Sequence, residues 1–302
     1  MLERPRALIV GCGYVGRRLA RALNTDHTLY GIVRSTAHIR TLRGLRVEPV
    51  VVDLDSVTHR EISSAWYRSE TIFYLAPPAP IGESDSRLHR FLNALTDQPS
   101  TLVYISTTGV YGNLQGGVAT ESMTTNPRTE RARRRASAEE ISRVWCHEHA
   151  VRRVVLRVPA IYGPDRLPLD RLRSQEPAII ESEAPIINRI HVDDLVQAIK
   201  AGALNEDARG IYNVSDGNSL TMTEYLNRVA VLANLPPPTQ ITLEHAHIAM
   251  TEGMLSYMEE SRRIDNSRMV NELGVKLQFS NVEEGIRASL REEALSNERR
   301  AK

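Results

Sequence analysis

The stretch Ala7-Leu-Ile-Val-Gly11-Cys12-Gly13-Tyr14-Val15-Gly16-Arg-Arg-Leu constrains this chain more than any other. A short uninterrupted apolar run is the pattern of a strand buried on both faces. Gly-x-Gly-x-x-Gly follows at once, and then Val15, Leu19, Ala20 and Leu23 recur at helical spacing. Strand, glycine turn and helix in this order form a cradle for a dinucleotide. Gly11 permits the tight turn, Gly13 lets backbone N–H groups approach a pyrophosphate, and Gly16 lets the helix pack on the strand. The helix amino terminus adds a partial positive charge facing the diphosphate. Gly11, Cys12, Gly13, Tyr14, Val15 and Gly16 are therefore candidate cofactor residues; the alternative is a glycine turn that binds nothing. Cys12 reads as a small filler of that turn rather than a redox group.

Similar β-branched runs recur at Leu29–Val33, Arg46–Val52, Thr71–Leu75, Thr101–Ser106 and Arg153–Val158, with longer helical patterns between them. Such alternation predicts an α/β fold with a doubly wound, Rossmann-type parallel sheet. Asn113–Arg128 holds Gly, Thr, Asn and Pro with little periodicity and reads as a long loop, a kind that is often functional. After Gly163-Pro164 the pattern loosens, which suggests a small carboxyl-terminal lobe over the sheet edge. We divide the chain into a nucleotide-binding domain at 1–165 and lobe segments at 166–302, with the chain returning to the sheet around 190–215.

The 302 residues are 41% hydrophobic and 25% charged, with a net charge of +1. That balance gives no field to gather nucleic acid, and Arg133–Arg135 has no aromatic neighbours to stack bases. No apolar run approaches the ~20 residues of a membrane span. Cys12 and Cys146 are too few for a disulfide framework and lack metal-ligand spacing, so we expect a cytoplasmic protein without a metal. Only three of the 38 basic residues are lysines, namely Lys200, Lys276 and Lys302. Arginine does not release its proton at usable pH, so this bias restricts the available acid–base chemistry.

The residue ending the second strand discriminates the nicotinamide cofactors, because a carboxylate there accepts from the adenosine ribose 2′-OH whereas arginine receives a 2′-phosphate. Here the strand ends Val33-Arg34-Ser35, with no acid. Arg34 can give a charge-assisted contact to that phosphate and Ser35 a hydroxyl, which favours NADP over NAD. Arg34 is equally one surface arginine among many. Asp53 and Leu54, after the third strand, stand where an adenine pocket closes; alternatively Asp53 caps a helix after that strand.

Together with these features, Tyr74-Leu-Ala76, Ser106-Thr-Thr-Gly-Val-Tyr-Gly112, Leu156-Arg-Val-Pro159-Ala-Ile-Tyr-Gly-Pro164 and Ile190-His-Val-Asp-Asp-Leu195 resemble the extended short-chain dehydrogenase/reductases of the NAD-dependent epimerase/dehydratase family. The matches run in the family's order over nearly the whole chain. The resemblance implies about seven parallel strands and a carboxyl-terminal substrate lobe. It implies Ala76 and Pro77 along the cofactor, Thr107 at the catalytic Ser/Thr place, and Pro159 and Ile161 beside the nicotinamide. Helices flanking the Arg131 region often form dimer interfaces in that family, so the resemblance allows a homodimer while the sequence leaves the oligomeric state open.

Two features depart from the family. Its members carry Tyr-x-x-x-Lys on the helix after the Ser/Thr strand, where this chain has Arg131 and Arg135. The residues four before its lysines are Val196, Glu272 and Glu298, so the sequence holds no such pair. The glycine spacing also differs, since the family's first glycine falls on Val10. Both departures resemble an atypical subgroup that keeps the cofactor loop without the Tyr/Lys pair. Guanidinium has no proton to give near neutrality, so Arg131 and Arg135 can hold an anion, whether substrate or cofactor diphosphate, but cannot shuttle a proton. They could equally form a solvated helix face beside Glu139 and Glu140. Candidate replacements for the proton donor are Tyr111 and Tyr162, each following a sheet strand, and His191, whose pKa suits neutral pH. Each has a plain alternative: the tyrosines pack, and His191-Val-Asp-Asp194 starts a helix with an aspartate as cap. Glu121 either faces the site or faces solvent.

The leading functional expectation is an NADP-binding oxidoreductase acting on a small carbonyl, alcohol or sugar-derived substrate with a non-standard acid/base. The second is an NADP-responsive regulatory protein without turnover. The third, a nucleotide-sugar epimerase or dehydratase, is disfavoured because its transient oxidation also uses the missing tyrosine.

Overall fold

The computed structural model describes residues 4–57, 69–251, 255, 258 and 260–301. In chain order the elements are β1 (Arg6–Val10), α1 (Tyr14–Leu23), β2 (Thr28–Val33), α2 (Ile39–Gly44), β3 (Val47–Val51), β4 (Thr71–Tyr74), α3 (Ser86–Ala94), β5 (Thr101–Thr107), β6 (Val118–Ala119), α4 (Glu130–Glu148), β7 (Arg152–Val158) and β8 (Ala160–Tyr162). There follow α5 (Leu169–Arg173), β9 (Ala178–Ile179), β10 (Arg189–His191), α6 (Val192–Leu204), β11 (Gly210–Asn213), α7 (Met222–Leu232), β12 (Gln240–Ile241), α8 (Leu243–Ala249), β13 (Arg263–Ile264), α9 (Ser267–Asn271) and α10 (Val282–Ala301).

Seven strands form one parallel sheet in the order β11-β7-β5-β4-β1-β2-β3. Ala7, Leu8, Ile9 and Val10 of β1 are wholly buried, as a central strand covered on both faces must be. Leu19, Ala20 and Leu23 of α1 pack with Leu195, Ala198 and Ile199 of α6 on one face. Leu88, Phe91 and Leu92 of α3 pack with Ala138 and Trp145 of α4 on the other. On α1 the buried position next to the turn is Gly16, while Val15 is half-buried. Strand order runs one way from β1 to β3 and the other way from β4 to β11. The reversal between β1 and β4 is the switch point at whose carboxyl end such sheets bind ligands.

The five strands expected after β1 appear within a residue or so of their anticipated bounds. Strand β11, which closes the sheet against β7, carried no clear signal of its own, being four residues long with a glycine and an asparagine. Past Gly163 a third cluster gathers Tyr162, Leu172, Tyr225, Leu226, Val229 and Ile286 around α5, α7 and α10. Among the described residues, no helix is long and apolar enough to cross a membrane.

Candidate active site

Two clefts open along the carboxyl edge of the sheet. The first, about 440 Å³, lies over the ends of β1, β2, β3 and β4. Gly11 has a φ of +97°, and a Cβ there would stand 2.7 Å from the backbone nitrogen of Ala76. A Cβ on Gly16 would stand 2.6 Å from the Gly11 carbonyl oxygen, so α1 sits on the turn as closely as main chain allows. Gly13 differs from both, since a Cβ there meets nothing within 4 Å. The outer two glycines are demanded by the protein itself, whereas the middle one borders free space.

Of the residues anticipated for a cofactor, Gly11, Cys12, Gly13, Arg34, Ser35, Asp53, Leu54, Ala76 and Pro77 line this cleft. Tyr14 does not: its hydroxyl donates to the Pro164 carbonyl at 2.7 Å, and burial pushes its pKa up to about 12. Val15 instead joins the core beside α6, and Gly16 lies beneath the turn. Cys12 donates to the Ile9 carbonyl at 3.5 Å, and burial pushes its thiol up to about 12, which suits a filler of the turn. Ser35 Oγ accepts from the Ala37 N–H at 3.2 Å, and Asp53 Oδ1 from the Asp55 N–H at 3.1 Å. Arg17, His38 and Arg87 also line the cleft, although no motif singles them out. The i, i+4 relation of Arg17 to Gly13 could have flagged it, whereas nothing local marks Arg87. Arg87 grips Asp55 with two bonds of 2.7 and 2.6 Å, which holds that carboxyl below its usual range.

The second cleft, about 370 Å³, lies over the ends of β5 and β7. Thr107, Arg131, Arg135, Pro159 and Ile161 all line it. Thr107 Oγ1 accepts from the Gly109 N–H at 3.2 Å, which fixes the turn after β5. Arg135 donates to the Ile105 carbonyl at 2.7 Å and to the Tyr104 hydroxyl at 3.1 Å. The arginine run is thus split by helix geometry: Arg131 and Arg135, one turn apart, face the cavity, while Arg134 donates to the Gly82 carbonyl at 2.8 Å. Glu260 and Arg262 complete the lining. They lie far along the chain without a motif and are carried here by the pairing of β13 with β6 inside the long loop.

Beneath this cavity runs a buried polar chain. Glu139 accepts from Ser106 Oγ at 2.5 Å and from Arg157 at 3.0 and 2.7 Å. The Arg157 guanidinium lies 4.7 Å over the Tyr111 ring, and the Tyr111 hydroxyl donates to Asn213 Oδ1 at 2.6 Å. The alternative of a solvated helix face beside Glu139 does not hold for Glu139 itself, which is buried and ties α4 to β5 and β7.

This placement corrects the proton-donor candidates. Tyr111 is sealed under Arg157, and burial raises its pKa. Tyr162 packs against His191 and Tyr225 below Gly285, and burial raises it further. His191 is 1% exposed, and burial lowers its pKa to about 4 despite the nearby Asp193. Its Nδ1 accepts from the Asp193 N–H at 3.2 Å, so the histidine itself caps α6, and Nε2 faces Ser289 Oγ at 3.3 Å. Asp194 does not cap either; it accepts from the N–H groups of Gln278 and Phe279. Glu121 accepts from the Asn213 N–H at 2.8 Å. None of these residues lines either cleft: the two tyrosines follow sheet strands but turn into the core, and His191, the last residue of β10, is buried there. Among the described residues lining the second cleft there is no tyrosine, histidine or lysine.

With this geometry in place, comparison with known proteins is informative. The sequence model of the NAD dependent epimerase/dehydratase family matches residues 7–215. The chain belongs to that family. A conserved protein of unknown function from Silicibacter pomeroyi shares 27% identity, with a TM-score of 0.80 over 95% of this chain and 99% of that one. Protein YeeZ of Escherichia coli is 25% identical over 91% of this chain and 96% of its own length. The UDP-glucuronic acid 4-epimerase of Bacillus cereus, solved with NAD, has a TM-score of 0.77 at 16% identity over 96% of this chain and 99% of that one, a likeness of fold.

Proposed function

We infer that the chain is an NADP-dependent oxidoreductase, with the cofactor in the glycine cleft and a small carbonyl or alcohol substrate in the arginine-lined cavity beside it. The observation that carries this reading is the open side of Gly13 in a loop otherwise packed to main-chain contact. Free space there suits the close passage of a diphosphate past backbone N–H groups. Arg34 and Ser35 line the cleft together with Arg17 and His38 and would receive a 2′-phosphate. The lining carboxylate, Asp53, is already engaged by the Asp55 N–H rather than poised at the end of β2. NAD, which the Bacillus cereus relative holds, is the less favoured cofactor here.

Gly11, Gly13, Ala76 and Pro77 would hold the diphosphate side, and Pro159, Ile161 and Thr107 would border the reactive ring. Bound there, a nicotinamide supplies a hydride donor or acceptor. The Thr107 hydroxyl can orient a substrate oxygen, while Arg131 and Arg135, as guanidinium groups, offer charge and N–H donors but cannot serve as a general acid or base. Loss of a positioned acid or base costs ~10²–10⁴ in rate, so turnover slower than in tyrosine-bearing relatives is expected. The sequence holds no Tyr-x-x-x-Lys pair, and this favours a second reading, an NADP-responsive regulatory protein without turnover.

Calorimetric titration tests the cofactor assignment. NADPH should bind tighter than NADH, and equal affinities would remove the preference. Following nicotinamide absorbance against aldehydes, ketones and sugar-derived substrates then separates the two readings, since only the oxidoreductase changes it.

A further inference from the structure

We propose that Arg87 determines cofactor specificity by occupying the Asp55 carboxylate, which leaves Arg34 available to the 2′-phosphate of NADP. This deepens the cofactor reading above and rests on it. Arg87 is a positioning residue in this role, acting through Asp55 and Arg34 rather than by touching the phosphate.

The starting point of Arg87 is fixed by the cap of its helix. Asp85, wholly buried, accepts from the N–H groups of Arg87 and Leu88 at 3.1 and 3.0 Å, so Arg87 leaves the first turn of α3 from a defined place. Its Nε and Nη2 donate to the two oxygens of Asp55, a side-on fork that matches the carboxylate. Its Nη1 donates to the Pro77 and Pro78 carbonyls at 3.3 and 3.2 Å. One guanidinium thus joins α3, the turn after β3 and the chain leaving β4. Among the described residues, Arg87 alone bonds the Asp55 carboxylate. The turn has other supports: Arg90 donates to the Asp55 main-chain carbonyl at 2.9 Å, and the Asp55 N–H donates to Asp53. Changing Arg87 therefore uncovers the carboxylate without removing what holds the main chain.

The consequence for the cofactor is electrostatic. The Arg87 bonds hold the Asp55 carboxyl below its usual range, and the charges of Arg90 and Arg34 lower it further, so Arg34 lies within electrostatic reach of Asp55. Arg34 and Arg87 line the same cleft. A carboxylate released beside Arg34 would compete with a 2′-phosphate for that guanidinium and would repel the phosphate itself. NAD carries a hydroxyl where NADP carries the phosphate, so the penalty falls chiefly on NADP. Lysine is a poor substitute for Arg87, because one ammonium cannot match two carboxylate oxygens and two carbonyls at once.

The test is calorimetric titration of the full chain with NADPH and NADH, in the wild type, Arg87→Gln, Asp55→Asn and the double variant. In Arg87→Gln the NADPH-to-NADH affinity ratio should fall at least about tenfold, mainly through weaker NADPH. Adding Asp55→Asn should return the ratio to within about threefold of wild type, and Asp55→Asn alone should not lower it. If Arg87→Gln does not fold, Arg87→Lys carries the same test: the ratio should fall about threefold and recover with Asp55→Asn. A merely structural role for Arg87 weakens both cofactors alike, so an unchanged ratio overturns the proposal. A lowered ratio that Asp55→Asn leaves unrepaired overturns it too. Equal wild-type affinities, with the shift and its rescue intact, would remove the NADP preference while keeping the role of Arg87. Binding of neither cofactor to the wild type would remove both.

Discussion

The two clefts share one sheet edge but are made of different material. The glycine cleft depends on main chain and on side chains that are missing, with Gly11 pressed to Ala76 and Gly13 left open. The arginine cavity depends on charged side chains brought from α4 and from residues 260–262, more than a hundred positions apart. A site made of backbone geometry is written in consecutive residues, because the same few positions must form strand, turn and helix. A site made of long side chains is written only in the pairing of distant segments. The first should therefore fail through steric blockage, the second through loss of charge or of the floor beneath it.

The largest effect should come from the floor. Glu139→Ala leaves the Arg157 guanidinium buried and unpaired, and should cost about 3–5 kcal/mol in urea unfolding. NADPH affinity in the folded fraction should hardly change; a large loss would show that the two clefts are not independent. Acid provides the next test. The folded-state pKa of His191, about 4, lies below its ordinary 6.5, so the unfolded chain takes up the proton first. Stability from this group is full above pH 6.5 and declines as pH falls toward 4, by up to about 3 kcal/mol. Asp216, raised by burial to about 6, works in the opposite sense, so the informative quantity is the difference between wild type and His191→Gln across that window. A difference independent of pH would mean that His191 is not held neutral.

Gly13→Val sharpens the contrast from the other side. It should leave the thermal midpoint within a few degrees of wild type and weaken NADPH at least about 100-fold, equivalent to ~2.7 kcal/mol. Undiminished binding would remove the cradle assignment. Arg34→Asp should reduce the NADPH-to-NADH preference by about 10–100-fold, the worth of one or two charge-assisted hydrogen bonds. The smallest effect is expected for Arg131→Tyr with Arg135→Lys, which should leave cofactor affinity within about threefold. A large loss would make those arginines cofactor clamps rather than substrate ligands.

The parts legible in the sequence share a physical cause. Strands buried on both faces must be apolar and β-branched, so β1, β2, β4, β5 and β7 could be read directly, whereas β11 offered four ambiguous residues. Positions at the carboxyl ends of strands were also readable, and Thr107, Pro159 and Ile161 do line the cavity. The direction in which a side chain leaves a turn was not, which is why Tyr111, Tyr162 and His191 were plausible proton donors and prove to be core. Glu139 escaped notice because a glutamate beside arginines on a helix looks solvated until the strand beneath it supplies Arg157 and Ser106. Glu260 and Arg262 had no local signal, since their place depends on two residues of β13 finding β6.

A crystal structure of the chain grown with NADPH tests the central claim most directly. The account predicts the diphosphate against Gly11 and Gly13, the 2′-phosphate against Arg34 and Ser35, and the nicotinamide beside Pro159 at the mouth of the arginine cavity. A dinucleotide lying elsewhere, or a glycine cleft left empty at saturating cofactor, would contradict it.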